Sequence, residues 1–124
     1  MKKFLSVITI LLIINVGNAQ IASDKIAGNW YNEDLDKTIM NAYKATDGYW
    51  YAKIINSTDS KKVGKILISK LKFNSSDNNY TGTLTSPNNN MEANATITFT
   101  TDGKLKLVAK KLFITKTYLF LRVK

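Results

Sequence analysis

The hydrophobic pattern is most regular between Met91 and Thr100, where every odd position is apolar and every even one polar. That period of two predicts a β-strand with one buried and one wet face. Asp102-Gly103 then supplies a short hairpin turn. After it the alternation resumes, with Leu105, Leu107 and Ala109 on one face and Lys104, Lys106 and Lys110 on the other. Similar segments rich in Ile, Thr, Tyr, Phe and Val recur along the chain, and eight strands are expected near 28–32, 38–45, 49–56, 65–74, 79–85, 91–100, 103–110 and 116–123. Asx- and Gly-rich stretches separate them, among them Asp34-Leu35-Asp36, Asp47-Gly48, Ser75-Ser76-Asp77-Asn78 and Pro87-Asn88-Asn89-Asn90. Such residues accept the turn conformations that β-branched residues resist. Eight strands with mostly short connections predict an all-β, antiparallel, up-and-down barrel, since closure removes both sheet edges. A sandwich is the rival, but it commonly uses long Greek-key connections, and the longest gap here is Ser57–Gly64. The helical expectation is limited to a turn at 23–27, capped by Ser23-Asp24.

The first residues break this pattern. Met1-Lys2-Lys3 is basic, Phe4 to Val16 is mostly apolar, and Gly17-Asn18-Ala19 puts small residues before a cleavage point. This is the grammar of a secretory signal peptide, so residues 1–19 are expected to be removed, leaving one domain over 20–124. The apolar run is shorter than the about 20 residues a spanning helix needs. No Cys follows it to carry a lipid anchor. The expected location is periplasmic or extracellular, with no stable membrane insertion after cleavage.

Composition narrows the chemistry. The chain has no His and no Cys. Thiolate redox chemistry, Ser–His and Cys–His nucleophiles and zinc sites built on those residues are excluded, as are disulfides. No catalytic residue, metal or cofactor is assigned, and the protein is read as not an enzyme. Asn32, Asp34 and Asp36 are spaced like the start of a calcium loop, but Lys37 stands where Gly is required and Tyr43 where Glu is. The leader carries Lys2 and Lys3 and no acid, so the net charge of +9 becomes +7 after cleavage. Dense lysines (Lys61, Lys62, Lys65, Lys70, Lys72, Lys104, Lys106, Lys110, Lys111) raise the question of an anionic partner such as nucleic acid, lipopolysaccharide or an acidic membrane face. The outward face of a barrel explains them more simply, and the shortage of Arg argues against nucleic acid. The Asn-x-Ser/Thr sequons at Asn56, Asn74, Asn79 and Asn94 are read as loops and polar strand faces.

An eight-stranded barrel has an interior just wide enough to be filled by side chains or to hold one small ligand. Alternation places Tyr43, Trp50, Phe73 and Phe99 inward, next to the small residues Ala52, Gly82, Ala93, Ala95 and Ala109. Those four aromatics are the candidate ligand-lining residues. The bland alternative is that they fill the core.

Gly28-Asn29-Trp30 opens the first strand, and Arg122, the only Arg in the chain, ends the last. This pairing resembles lipocalin-like barrels, in which Gly-x-Trp opens the first strand and a terminal Arg packs across the Trp. The resemblance implies structural roles for Gly28, Trp30 and Arg122, with a guanidinium stacked on an indole. The mature chain also resembles the small secreted bacterial proteins of the domain of unknown function 2147 family. Four stretches carry the resemblance: Ile26 to Trp30, the hairpin from Tyr43-Lys44 to Lys53-Ile54, Tyr80 to Leu84 followed by Pro87, and Asp102 to Lys106 with Arg122-Val123. The chain departs from that pattern in lacking Cys near the first hairpin, in a shortened loop at Ser57–Gly64, and in having Ser86 where members carry Asp before the Pro. The resemblance implies a lipocalin-like barrel and no activity.

Two noncatalytic functions follow as expectations. One is a carrier of a small apolar or amphipathic ligand inside the barrel. The other is an envelope interaction or stress-related module with a packed interior. The positive charge speaks against inhibition of a strongly basic enzyme, because like charges slow the encounter.

Overall fold

The computed structural model describes residues 23–124. The expected signal peptide over 1–19 and its cleavage point lie outside the described residues. Eight strands are formed: β1 (Gly28–Asn32), β2 (Thr38–Lys44), β3 (Trp50–Asn56), β4 (Ile66–Asn74), β5 (Asn79–Thr85), β6 (Glu92–Phe99), β7 (Leu105–Lys111) and β8 (Ile114–Val123). They pair in chain order, and β8 returns to β1, so the sheet is a closed, antiparallel, up-and-down barrel. The sandwich alternative is excluded by that closure. A 3₁₀ turn at Ser60–Lys62, capped by the Asp59 carboxylate, lies in the β3–β4 connection.

The strand directions give the barrel two different ends. At one end lie the N-terminal turn, the β2–β3, β4–β5 and β6–β7 hairpins and the end of β8. At the other lie the β1–β2, β3–β4, β5–β6 and β7–β8 connections. The first end is plugged. The turn before β1, closed by Ala27 N–H donating to the Asp24 carbonyl, drives Ile26 fully into the interior. Trp30, Met40, Leu71, Tyr80, Ile97, Leu105 and Phe120 pack beneath it with almost no exposure.

Alternation governs most strands. In β6 the buried Ala95 and Ile97 share a face with the half-buried Ala93 and Phe99. In β7 Leu105, Leu107 and Ala109 are buried while Lys106 and Lys110 are exposed. β4 breaks the rule: its register with β5 shifts between Ser69 and Lys72, and Lys70 takes a φ of +53°. This bulge falls opposite Gly82, where a Cβ would meet the Ser69 carbonyl oxygen at 2.7 Å and that of Lys70 at 3.0 Å. Gly82 is therefore small to admit the bulged backbone of β4, and it opens no ligand space.

Candidate functional site: an open cavity with a lysine rim

The plugged end is built from backbone and aromatic contacts. Trp30 donates its indole N–H to the Ile26 carbonyl at 2.8 Å, so its one polar group is satisfied in the core. Arg122 lies directly opposite Trp30 in the β1–β8 pairing, with its guanidinium carbon 4.0 Å from the indole ring. The same guanidinium donates to the carbonyls of Ala27 at 2.5 Å and Lys25 at 2.8 Å. Gly28 has a φ of +116°, and a Cβ there would stand 3.0 Å from Arg122 Nη1. Its lack of a side chain thus serves both the backbone turn and the approach of the guanidinium. The Tyr80 hydroxyl donates to the Ser23 carbonyl, which ties the N-terminal turn to β5. Burial pushes that hydroxyl up to about 12.

The other end is open. A cavity of about 400 Å³ enters the barrel there. Its wall is apolar: Ile54, Leu67, Leu84, Leu107, Ala109 and Tyr118 project from five strands. Leu35 joins them from the β1–β2 connection. Asn32 is buried and holds that connection in place, accepting from the Leu35 N–H at 2.9 Å and donating to the Leu119 carbonyl at 2.9 Å. Thr38, also buried, donates its hydroxyl to the Leu35 carbonyl. Asn32 thus builds a turn that lowers an apolar residue toward the cavity. Asp36 is engaged by Lys62, and its carbonyl accepts from Thr58. Among the described residues, no group of acidic side chains is gathered as a metal site.

The rim of the cavity is basic. Lys62, Lys111 and Lys116 border it, together with Glu92, Ser86 and Asn88. Lys111 and Lys116 sit on the interior face of the sheet. Lys111 continues the series Leu105, Leu107, Ala109, and Lys116 pairs with Ala109. Lys62 is neutralised by Asp36, whereas neither Lys111 nor Lys116 forms an ion pair among the described residues. The arrangement is an apolar wall beneath a partly uncompensated cationic mouth. It suits a molecule with an apolar body and an anionic head.

The four aromatics expected to line a ligand site do not gather around this cavity, although Trp50, Phe73 and Phe99 turn inward as alternation predicts. None borders this cavity. Tyr43 is turned to the outside, because the interior parity of β2 runs through Thr38, Met40 and Ala42. There it stacks on Tyr51 with centroids 6.1 Å apart. The Tyr51 hydroxyl donates to Asp47, and this bond, with the Tyr49 N–H, holds the Asp47 carboxyl below its ordinary value. Trp50 is interior but opposes Leu71 toward the plugged end. Phe73 and Phe99 pack on Tyr80 at 5.0 and 6.1 Å, and Phe99 also lies 5.8 Å from Trp30. They are core at the plugged end. Of the small residues, Ala93 and Ala109 border the cavity, while Ala52, Gly82 and Ala95 do not.

Sequence reasoning missed Leu35, Leu67, Leu84 and Tyr118 as lining, and Lys111 and Lys116 as interior-facing. Strict alternation through Ala109 and back from Phe120 was the signal for the two lysines. No family model matches the chain, and neither does any curated protein or solved structure.

Proposed function

We propose that this is an exported, noncatalytic binding protein that holds one small amphipathic ligand with an anionic head in the open half of its barrel. The observation that carries the reading is the cavity of about 400 Å³ with its apolar wall and the lysines Lys111 and Lys116 at its mouth. That volume lies in the lower part of the range for small-molecule sites. Burying an aliphatic tail against Ile54, Leu67, Leu84 and Leu107 supplies affinity in proportion to the apolar area removed from water. The two lysines add charge-assisted hydrogen bonds to a carboxylate or phosphate at the mouth. Kinship with the lipocalin-like domain of unknown function 2147 proteins, and export to the periplasm or beyond, belong to the same proposal and rest on the sequence features described above. The rival reading, an interaction module, calls for a filled interior, and the hollow half of the barrel favours the carrier.

Displacement of a bound fluorescent sulfonate such as anilinonaphthalene sulfonate tests the proposal. Dodecanoate should displace the probe, and dodecanol should do so about tenfold less well, the equivalent of one charge-assisted contact. The double variant Lys111→Ala, Lys116→Ala should erase that preference while keeping affinity for the alcohol. Absence of displacement by either compound rejects the carrier. Equal displacement by both rejects the role of the lysines.

A further inference from the structure

The connection between β7 and β8 serves neither the core nor the turn. It is a two-residue hairpin, since Lys111 pairs with Ile114 and only Leu112 and Phe113 lie between. Leu112 is 81% exposed, Phe113 101% and Ile114 64%. Three consecutive large apolar side chains therefore stand in water at a hairpin tip. Leu112 also takes a φ of +54°, a conformation that hairpins normally give to Gly, Asn or Asp. The chain follows that rule at most other turns, where Asp36, Gly48, Gly64, Asn78, Asn90 and Gly103 carry the positive φ, and Lys37 in the β1–β2 connection departs from it with a solvated side chain. At this one it breaks both local preference and solvation with no gain in packing. Departures of this kind, uncompensated within the fold, mark functional positions.

The surroundings identify what the tip meets. Lys110, Lys111 and Lys116 flank it, all exposed. Glu92 shares the adjoining groove with Lys110 and Lys111 and offsets one of the three charges. The exposed Met91 stands on the cavity rim with Ile114. Apolar side chains at a protruding point with a collar of lysines complement the surface of an anionic bilayer. Side chains such as Phe, Leu and Ile favour the boundary between headgroups and acyl chains, while a lysine ammonium stays among the headgroups. A protein groove that received the tip would have to cover all three lysines as well, and a lipid surface needs no such match.

We infer that the β7–β8 hairpin is a peripheral membrane anchor for anionic lipid surfaces, with Leu112, Phe113 and Ile114 as the inserting side chains and Lys110, Lys111 and Lys116 as the electrostatic collar. Because Lys111, Ile114 and Lys116 also border the cavity, docking there brings the mouth of the barrel against the lipid. The contact is shallow and reversible, since three side chains reach only the interface. It is distinct from stable, bilayer-spanning insertion, which the chain is not expected to perform.

Co-sedimentation with vesicles tests this without any added cavity ligand, so failure here and failure of the carrier reading are separable. The protein without its leader should bind vesicles of equal phosphatidylglycerol and phosphatidylcholine at least about tenfold more tightly than vesicles of phosphatidylcholine alone, and raised salt should weaken the binding. The double variant Leu112→Asn, Phe113→Ser should lose about tenfold of that affinity. Its circular dichroism and thermal midpoint should be unchanged or improved, because Asn accepts the positive φ more readily than Leu. Lys110→Glu should weaken binding to the mixed vesicles and leave the phosphatidylcholine result alone. Retention of full binding by the tip variant overturns the anchor and leaves charge alone at work. Failure to bind either vesicle overturns the proposal outright and turns the tip toward a protein partner.

Discussion

Arg122 does three things with one planar group: it covers the Trp30 ring and binds the carbonyls of Ala27 and Lys25. A lysine has the charge but neither the plane nor the fork. Arg122→Lys is expected to destabilise the barrel by about 1 kcal/mol, and a double-mutant cycle with Trp30→Leu in urea denaturation should show coupling of similar size. Additive losses would mean that the stacking contributes nothing. Tyr80 gives a second test, through pH. Its ordinary ionisation at 10.0 is pushed up to about 12 by burial. The neutral hydroxyl is therefore the form the fold favours. Its contribution to stability is complete below pH 10 and is lost as pH rises toward about 12. Comparing urea midpoints across that window with those of Tyr80→Phe isolates the effect, because every other ionisable group is common to both proteins. A parallel decline in the two would rule it out. Tyr43 marks where residue-level reading stops. β2 holds apolar residues on both faces, Ile39 and Tyr43 on one and Met40 and Ala42 on the other. Pattern alone does not choose between such faces, and the buried Thr38 settles the choice only once the barrel is closed.

Among the elements, β6 was the most legible, because its alternation has no competing apolar position and Ala95 and Ile97 turned inward as the period of two requires. β4 was the least. Leu67 and Ile68 are both buried, and the bulge at Ser69–Lys72 shifts the parity beyond them. The compensating signal was Gly82 on the neighbouring strand, which reads as spare space until the β4 backbone is seen against it. Gly82→Ala is expected to destabilise by about 1–3 kcal/mol, since the added methyl meets backbone oxygens that have no rotamer by which to yield. A thermal midpoint equal to that of the parent protein would show that the bulge relaxes freely. The lysines of β7 and β8 carry the same lesson in reverse. Lys is normally an outward residue, so Lys111 and Lys116 looked like surface until their neighbours Ala109 and Tyr118 were seen on the interior side.

For the molecule as a whole, the sequence offered a choice between a filled barrel and a hollow one, and the structure divides the two along its axis. Side chains of Trp30, Tyr80, Phe99 and Phe120 fill the half under the N-terminal turn, and the cavity occupies the half under the β1–β2 and β5–β6 connections. Which layer is filled depends on where Ile26 enters, a long-range contact that no local pattern encodes. Native-state hydrogen exchange should follow this division. Amides of Ile97, Leu105 and Phe120 should exchange at least about tenfold more slowly than those of Ala93, Leu107 and Lys116, because opening is easier where fewer apolar contacts are broken. A uniform profile would mean that the cavity leaves its walls as rigid as the core. The seam between β1 and β8 has one more consequence, in time rather than in space. Its contacts join groups 95 and 97 residues apart, so the first strand has no second neighbour until the last strand exists. A chain emerging N-terminus first must keep an unpaired edge open through nearly the whole of its synthesis. The guanidinium that arrives with β8 is thus a completion signal: until it reaches the indole, the barrel is an unrolled sheet, open to helper proteins and to proteases alike.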